Sequence, residues 1–559
     1  MPRPFPAALL LPGDAFDTDS HQVMGRRVAG RSFVRGLVGA LQSEEQLTIL
    51  LGSDEEKKRL SQLLDLVRPP GSTLDLVLGF EPARLVAIGA LHVPDPGIAR
   101  WSLLRAGRPA SAFSLTGVIH TLCSNTVIST LEQLSIAPLE AWDALVCTSS
   151  AGQAVVKAAM ACQHQVLERR FGMPLPQPRG PQLPVIPLAV ADSLQPGSNP
   201  DRELCRRAAR KQLGLDVNAH VVLFLGRLSF HSKVHPLVLY RALARLAADH
   251  PEVLLLECGH LYNTHVAAAF EDLQRCFPQL PLHRLGGLTP ATEEEKALAL
   301  AAADVFVSPA DNLQETFGLS VIEAMAAGLP TVVSDWNGYR DLVVHGQTGF
   351  LIPTSMDLGP PEQLDALDRT YRLGLIDYDT MVGIRSLSVV VEEEPLLTAL
   401  RCLHGQPSIR RQMGQAARQR WQELFSWPVV AEQYRQLWLD LAALRNRCSS
   451  SSVEASAFAG TARLFAGYPT RAFQVTPLRT TPLTTPPAWL RRPMQLPFFA
   501  QLCGQAFDPL IQHLESHSQV DQQQLLQLGV DPSQCRAVLA ALVKFGVAVP
   551  SPSAEAPIS

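Results

Sequence analysis

The sequence predicts an α/β protein of two doubly wound domains facing a cleft, followed by a small helical module. Three observations carry this expectation. Short apolar runs alternate with stretches of helical spacing, the alternation restarts after a proline-rich break, and the composition turns to Ser, Thr and Pro near residue 449.

The apolar runs at 7–11, 47–51, 112–119 and 143–148 read as strands of a parallel sheet over residues 1–180. Between the first two, Gly25-Arg26-Arg27 opens a helix with Val34, Leu37, Val38 and Leu41 on one face. PQLPVIP, Pro181 to Pro187, reads as an interdomain strand and hinge. A second alternation occupies 181–427, with strands at Val221–Leu225, Val253–Glu257, Val305–Val307 and Thr331–Val333. Two such domains in tandem set a cleft between the carboxyl ends of their sheets, where open α/β folds bind ligands. The stretch of about 356–391 interrupts the pattern and reads as a surface insertion. A helix over 428–447 is expected to cross back to the first domain, a linker to span 448–494, and a helical module to fill 495–559, its last helix capped by Asp531 with Pro532 in the first turn and Gly546 past its end.

At 559 residues, 47% hydrophobic and 18% charged, the chain has material for two or three packed domains. A net charge of −4 offers no global field for nucleic acid. The terminal module has a helix-turn-helix look, but from Gln495 onward it carries two basic residues against five acidic ones, too few cations for phosphate contacts. That composition suits a module that packs against the rest of the chain or binds a protein partner. The ten cysteines are scattered, with no Cys-x-x-Cys and no zinc spacing, and read as reduced thiols of a cytoplasmic protein. Ala7 to Leu11 is too short for a signal-peptide core, and no apolar run reaches the ~18 residues of a membrane span.

The chemistry concentrates in Ala303 to Pro353. The spacing of Leu319, Ile322 and Met325 predicts a helix over about Phe317 to Ala327, ended by Gly328 and Pro330. Glu315 precedes it, and Glu323 lies about 9 Å along its axis at 1.5 Å per residue. The free N–H groups of Phe317, Gly318 and Leu319 suit a pyrophosphate or sugar hydroxyl, with Gly318 allowing close approach. A carboxylate before such a helix suits hexose hydroxyls, and one farther along suits a ribose. Two glutamates at these places are equally consistent with solvated side chains. Upstream, Gly226-Arg227-Leu228-Ser229-Phe230-His231-Ser232-Lys233 follows a strand, and its two cations, six residues apart, can clamp two phosphates. An ordinary loop with two surface cations has the same composition.

Taken together, the two segments resemble glycosyltransferase family four over about residues 1–445. The likeness is dense where Asp311, Asn312, Gln314, Glu315, Thr316, Phe317 and Gly318 lie together. The resemblance implies a GT-B fold and retaining transfer from a nucleoside-diphosphate sugar without a metal or other cofactor. It implies that Arg227 and Lys233 bind the diphosphate, that Glu315 and the Phe317–Leu319 amides bind the sugar, and that Glu323 binds the ribose. Thr316 falls inside that sugar-binding loop, and the base is expected near Leu288. Phe425-Ser426-Trp427 is expected to open the returning helix. Val234 and Asp341 stand where a glycine and a glutamate are more common in the family.

His120, after the strand AFSLTGVI, corresponds to a sugar-contacting histidine in the resemblance, while a lone strand-end histidine is also a common structural residue. Gly25 and Arg27 at a helix start suggest an anionic ligand, although Asp17 and Asp19 neutralise the same charge. A basic amphipathic helix there also suits a peripheral membrane contact. The acceptor expected is a glycan, lipid or small molecule, with no nucleic acid. The competing readings are a GT-B epimerase or phosphorylase, and a non-catalytic nucleotide-sugar-binding scaffold.

Overall fold

The computed structural model describes residues 2–13, 25–192, 202–357, 359, 365–448, 460–469, 473, 477–480 and 497–550. The chain divides into two units, Met1–Phe458 and Ala459–Ser559. The first unit contains both doubly wound domains.

In the first domain, β1 (Arg3–Pro4), β2 (Ala8–Leu10), β3 (Glu45–Leu51), β4 (Thr73–Leu78), β5 (Ala90–His92), β6 (Ser114–Val118) and β7 (Ala144–Val146) form one parallel sheet. β3 pairs with β4 and, in succession, with β1 and β2, and the sheet continues β2-β5-β6-β7. Buried apolar positions run nearly continuously along β3, β6 and β7, as expected for strands covered on both faces. Helix α1 (Gly25–Gly39) covers one face with Val34, Leu37 and Val38, joined by Leu41 just beyond it, all buried as their spacing predicted. That apolar face is therefore spent on the core.

The second domain repeats the plan. β8 (His220–Leu228), β9 (Val253–Leu261), β10 (Leu282–Gly287), β11 (Val305–Ser308), β12 (Thr331–Ser334) and β13 (Gly349–Ile352) lie in the order β10-β9-β8-β11-β12-β13, all parallel. β8 and β11 are neighbours with the sheet winding outward from each, so this is the switch point at which such sheets bind ligands.

The domains are joined twice. Gln182 and Val185 bridge to Ala144 and Cys147, so the PQLPVIP stretch extends the first domain's edge. The crossing therefore lies nearer Val190 than the expected 180/181 boundary. There the Val190 amide donates to the Phe425 carbonyl at 3.3 Å, setting the outgoing and returning strands of chain side by side. Helix α2 (Trp427–Arg447) then returns as expected, with Ser426 before it and a proline in its first turn. It buries Val430, Tyr434, Trp438 and Leu441 in the first domain. Arg435 meets the Glu45 carboxylate, and Trp438 Nε1 donates to Thr116 Oγ1 at 3.1 Å. The Trp427 ring fills the space beside Gly36, where a Cβ would sit 1.8 Å from it.

The insertion has structure of its own. β14 (Thr354–Met356) pairs antiparallel with β15 (Val389–Val391), and between them run α3 (Ala366–Arg372) and α4 (Tyr378–Ser386) around Tyr371, Met381 and Val382.

The second unit is mainly helical as expected, with helices Pro497–Cys503, Phe507–Ser516, Gln522–Gln527 and Cys535–Lys544, and differs in detail. A small sheet joins these helices, in which β16 (Leu478–Thr480) pairs antiparallel with β17 (Gln519–Val520) and β18 (Ala548–Pro550). β16 falls inside the segment expected as a linker, and its Leu478 is buried beside Leu510, Leu525, Val538 and Leu542. Most of 448–494 otherwise lies outside the described residues. The last helix begins at Cys535, not after Asp531. Asp531 instead accepts a 2.8 Å bond from the Ser533 amide, a local turn that competes with helix entry. Gly546 does follow the helix, at φ 71°.

Candidate active site

The site is built at the carboxyl ends of β8 and β11. β8 runs through to Leu228, so Gly226 lies within the strand and the segment it opens begins inside the strand, not after it. Its φ of 150° and the Lys233 side chain 3.1 Å from where a Cβ would sit explain the glycine. After β8 the chain doubles back through Ser229, whose hydroxyl accepts from Ser232 Oγ at 3.0 Å, and this returns Lys233 to the strand end. Arg227 reaches the Ser232 carbonyl at 3.3 Å, across the same loop.

Lys233 Nζ donates to the Glu315 carboxylate, joining the two motifs. Burial alone would push the lysine down in pKa, but Glu315 and Tyr339 hold it above its ordinary value. For Glu315 burial acts upward, and Lys233, the Phe317 amide and Arg227 outweigh it to hold the carboxylate low. Both groups are charged at neutral pH.

The loop carrying Glu315 is fixed from several sides. Asn312 Oδ1 accepts from the Gln314 and Glu315 amides at 3.0 and 3.2 Å, and Asn337 Nδ2 donates to the Glu315 carbonyl at 2.6 Å. Tyr339 approaches the Glu315 carboxylate at 3.4 Å and Ser308 at 3.0 Å. The following helix spans Leu319–Ala326, two residues shorter at its start than expected. The cause is Gly318, whose φ of 118° is not helical and whose missing Cβ makes room for the Tyr339 ring, 2.5 Å from where it would stand. Phe317 turns its side chain into the core against Phe425. Its amide serves the Glu315 carboxylate, so of the three amides expected to face ligand it is already engaged.

With the later start, Glu323 lies about 6 Å beyond the first helical residue at 1.5 Å per residue. It is not a freely solvated side chain. Lys296 Nζ meets it at 2.6 Å from the helix Glu293–Ala302. Burial lowers the Lys296 pKa, and Glu323 with Glu293 more than restores it. Leu288, expected near the base, is exposed after β10, and its carbonyl accepts from His260 Nε2 at 3.1 Å.

From the first domain, His120 lies two residues past β6, and its carbonyl accepts from Thr316 Oγ1 at 2.8 Å. Its ring also lies near enough to the buried His92 to oppose a charge there. Ser149 Oγ donates to the Thr316 carbonyl at 2.8 Å while capping the helix Ser150–Phe171. Asp341, in the place of the family's glutamate, accepts from the Ser150 amide at the same helix start. The Glu315–Thr316 loop is thus gripped by both domains. Gly25 is the first residue of α1, and Arg27 lies half-buried in its first turn. Asp17 and Asp19 lie outside the described residues.

Sequence reasoning missed the insertion's part in this site. Asp379 accepts from Tyr262 at 2.9 Å and approaches His231, in the loop between Leu228 and Lys233, at 3.6 Å. On its other side, the Asn125 amide donates to Tyr371 Oη at 2.8 Å, and Cys123 Sγ meets Tyr378 Oη at 3.4 Å. The insertion spans from the second domain's cation loop to the first domain beside His120. Lys296, Asn337 and Tyr339 were also missed, since nothing in local spacing links them to Glu315 or Glu323.

Comparison with known proteins agrees with this geometry. Residues 206–358 match the family described as glycosyl transferases group 1. D-inositol 3-phosphate glycosyltransferase of Corynebacterium kroppenstedtii is 34% identical over 172 residues, 30% of this chain and 36% of that protein. Its namesake from Mycobacterium bovis is 33% identical over 188 residues, 33% of this chain and 37% of the relative. The chain thus spans about a third of the length of these curated relatives. Among solved structures, Anabaena HepE in complex with UDP has a TM-score of 0.51 at 16% identity, covering 78% of this chain and 100% of that one. A glycosyltransferase from Rickettsia africae has a TM-score of 0.50 at 14% identity, covering 78% and 98%. The two parallel sheets joined twice at Val190 and Phe425 give the chain a GT-B fold, and its second domain carries the segment similar to glycosyl transferases group 1.

Proposed function

We propose that this protein transfers a sugar from a nucleoside diphosphate to an acceptor hydroxyl with retention of the anomeric configuration and without a metal ion. The observation that carries the reading is the Lys233–Glu315 pair, held at the switch point beside the start of the helix Leu319–Ala326. In this reading Arg227 and Lys233 neutralise the diphosphate as the glycosidic bond breaks, together with the Gly318 and Leu319 amides. Glu315 holds sugar hydroxyls and Glu323, steadied by Lys296, holds the ribose.

All of these groups surround the leaving diphosphate. One of its oxygens, on the same face as the departing bond, can take the proton of the incoming hydroxyl, so attack and departure share a face. The positive charge needed comes from side chains and amides of this chain, so transfer is expected to survive a chelator. The first donors to try carry uridine, the nucleotide bound by HepE, and the first acceptor is inositol 3-phosphate, for which the curated relatives are named.

The test is proton NMR of a freshly formed product, after a thermal-shift screen has found the donor. An anomeric coupling matching the donor's supports the reading. A coupling of inverted type overturns it and moves His120 to the role of opposite-face base.

A further inference from the structure

At the opposite end of the second sheet, three side chains from distant places in the sequence converge. His250 is the residue that ends the helix Leu237–Asp249, Glu252 precedes β9, and His404 lies in the last turn of the helix Glu393–Gly405. His404 Nε2 lies 2.8 Å from Glu252 Oε1, and His250 Nδ1 lies 3.7 Å from the same oxygen. One ligand atom from each residue falls within 4.8 Å of the others. Ligands about 2.0–2.2 Å from one zinc ion stand at separations of this order.

Two imidazoles and a carboxylate form a donor set suited to zinc and its neighbours, and poorly suited to magnesium or calcium. The surroundings also favour a cation. His250 and His404 sit at the carboxyl ends of two helices, where the backbone carries partial negative charge. The facing cations have other partners: Arg401 lies 3.7 Å from Asp249, and Arg410 donates to the Leu403 carbonyl at 2.9 Å. Behind the cluster, buried His220 stands edge-on to His404, with ring centroids 4.9 Å apart, and buttresses that ring. The side chains of His250 and Glu252 remain 42% and 44% exposed, so an ion can enter from solvent.

We propose that His250, Glu252 and His404 bind one divalent transition-metal ion of the zinc class, completed by water. The ion ties the Pro251 turn before β9 to the end of the helix Glu393–Gly405. It lies at the amino ends of the strands, away from Lys233 and Glu315, so its role is to fasten the donor domain and not to take part in transfer.

The experiment uses the full chain, stripped with a chelator, dialysed, and titrated with zinc chloride by calorimetry and with cobalt chloride by absorption. One equivalent should bind, should raise the melting temperature, and should give a cobalt spectrum of nitrogen and oxygen ligands without a thiolate band. His404→Ala and Glu252→Gln should each weaken zinc binding more than tenfold, with circular dichroism of the metal-free protein unchanged. Absence of the zinc equivalent in the wild type overturns the proposal, as does undiminished binding in both variants. A thiolate band overturns it too, by assigning the metal to the cysteines.

Discussion

Two ion pairs in the second domain differ in a way that separates architecture from chemistry. At the amino end of its sheet, Arg210 and Asp304 meet at 2.6 Å with side chains 1% and 3% exposed. Every direction around them is answered. Arg210 donates to the carbonyls of Ala302, Val217 and Ala219 at 2.9, 2.8 and 2.8 Å, and Asp304 accepts from the Val221 amide at 2.8 Å and from Arg206. At the carboxyl end, Lys233 and Glu315 are 13% and 15% exposed and face the cleft with fewer partners. A pair with all its valences used can only hold the fold together. A pair placed at the switch point with valences to spare can hold a ligand.

That contrast is open to a direct attack. Asp304→Ala should give the largest effect, a loss of about 3–5 kcal/mol in urea unfolding, because it strands a buried guanidinium and the Val221 amide. A loss under about 1 kcal/mol would erase the distinction between the pairs. Glu315→Gln should lower turnover about 100-fold or more while moving the unfolding midpoint far less, as expected for a group used in the transition state. Glu323→Ala should weaken donor binding by about 1.5–3 kcal/mol, the value of hydrogen bonds to a charged group. An unchanged dissociation constant, read by calorimetry, would reduce Glu323 to a partner of Lys296.

The smallest effect is set by pH. Burial, with a contribution from His120, pushes His92 down to about 3, so it stays neutral in the fold while the unfolded chain takes up a proton near 6.5. The unfolded state then binds more protons between these values, and stability is lost as pH falls below about 6.5. At pH 5 the loss from this one group is about 2 kcal/mol. His92→Gln should flatten the fall in unfolding free energy between pH 7 and 5, and an equal slope in both proteins would contradict the assignment.

What the sequence made legible follows the same division. Long apolar runs such as Leu47–Leu51 and Val221–Leu225 are strands as read, because burial on both faces demands such runs. Thr73–Leu78 was missed because Asp75 interrupts its apolar character, a charge answered by Arg84. Ala90–His92 is too short to show a period, and Leu478–Thr480 hides in a Thr- and Pro-rich stretch. At the site, Arg227, Lys233, Glu315 and Glu323 were legible because together their spacing resembles the family's motifs. The partners that hold them were not. Lys296, Tyr339 and the insertion's Tyr371 and Asp379 act through contacts that only the folded chain creates.

The central claim is that the Lys233–Glu315 pair exists for a nucleoside diphosphate. It is tested most directly by Lys233→Met, with the UDP dissociation constant and the urea midpoint measured on the same preparation. The account predicts UDP binding weakened about 100-fold or more with a midpoint much closer to wild type than that of Asp304→Ala. Unimpaired UDP binding together with a collapsed midpoint would make the pair a structural one and contradict the account.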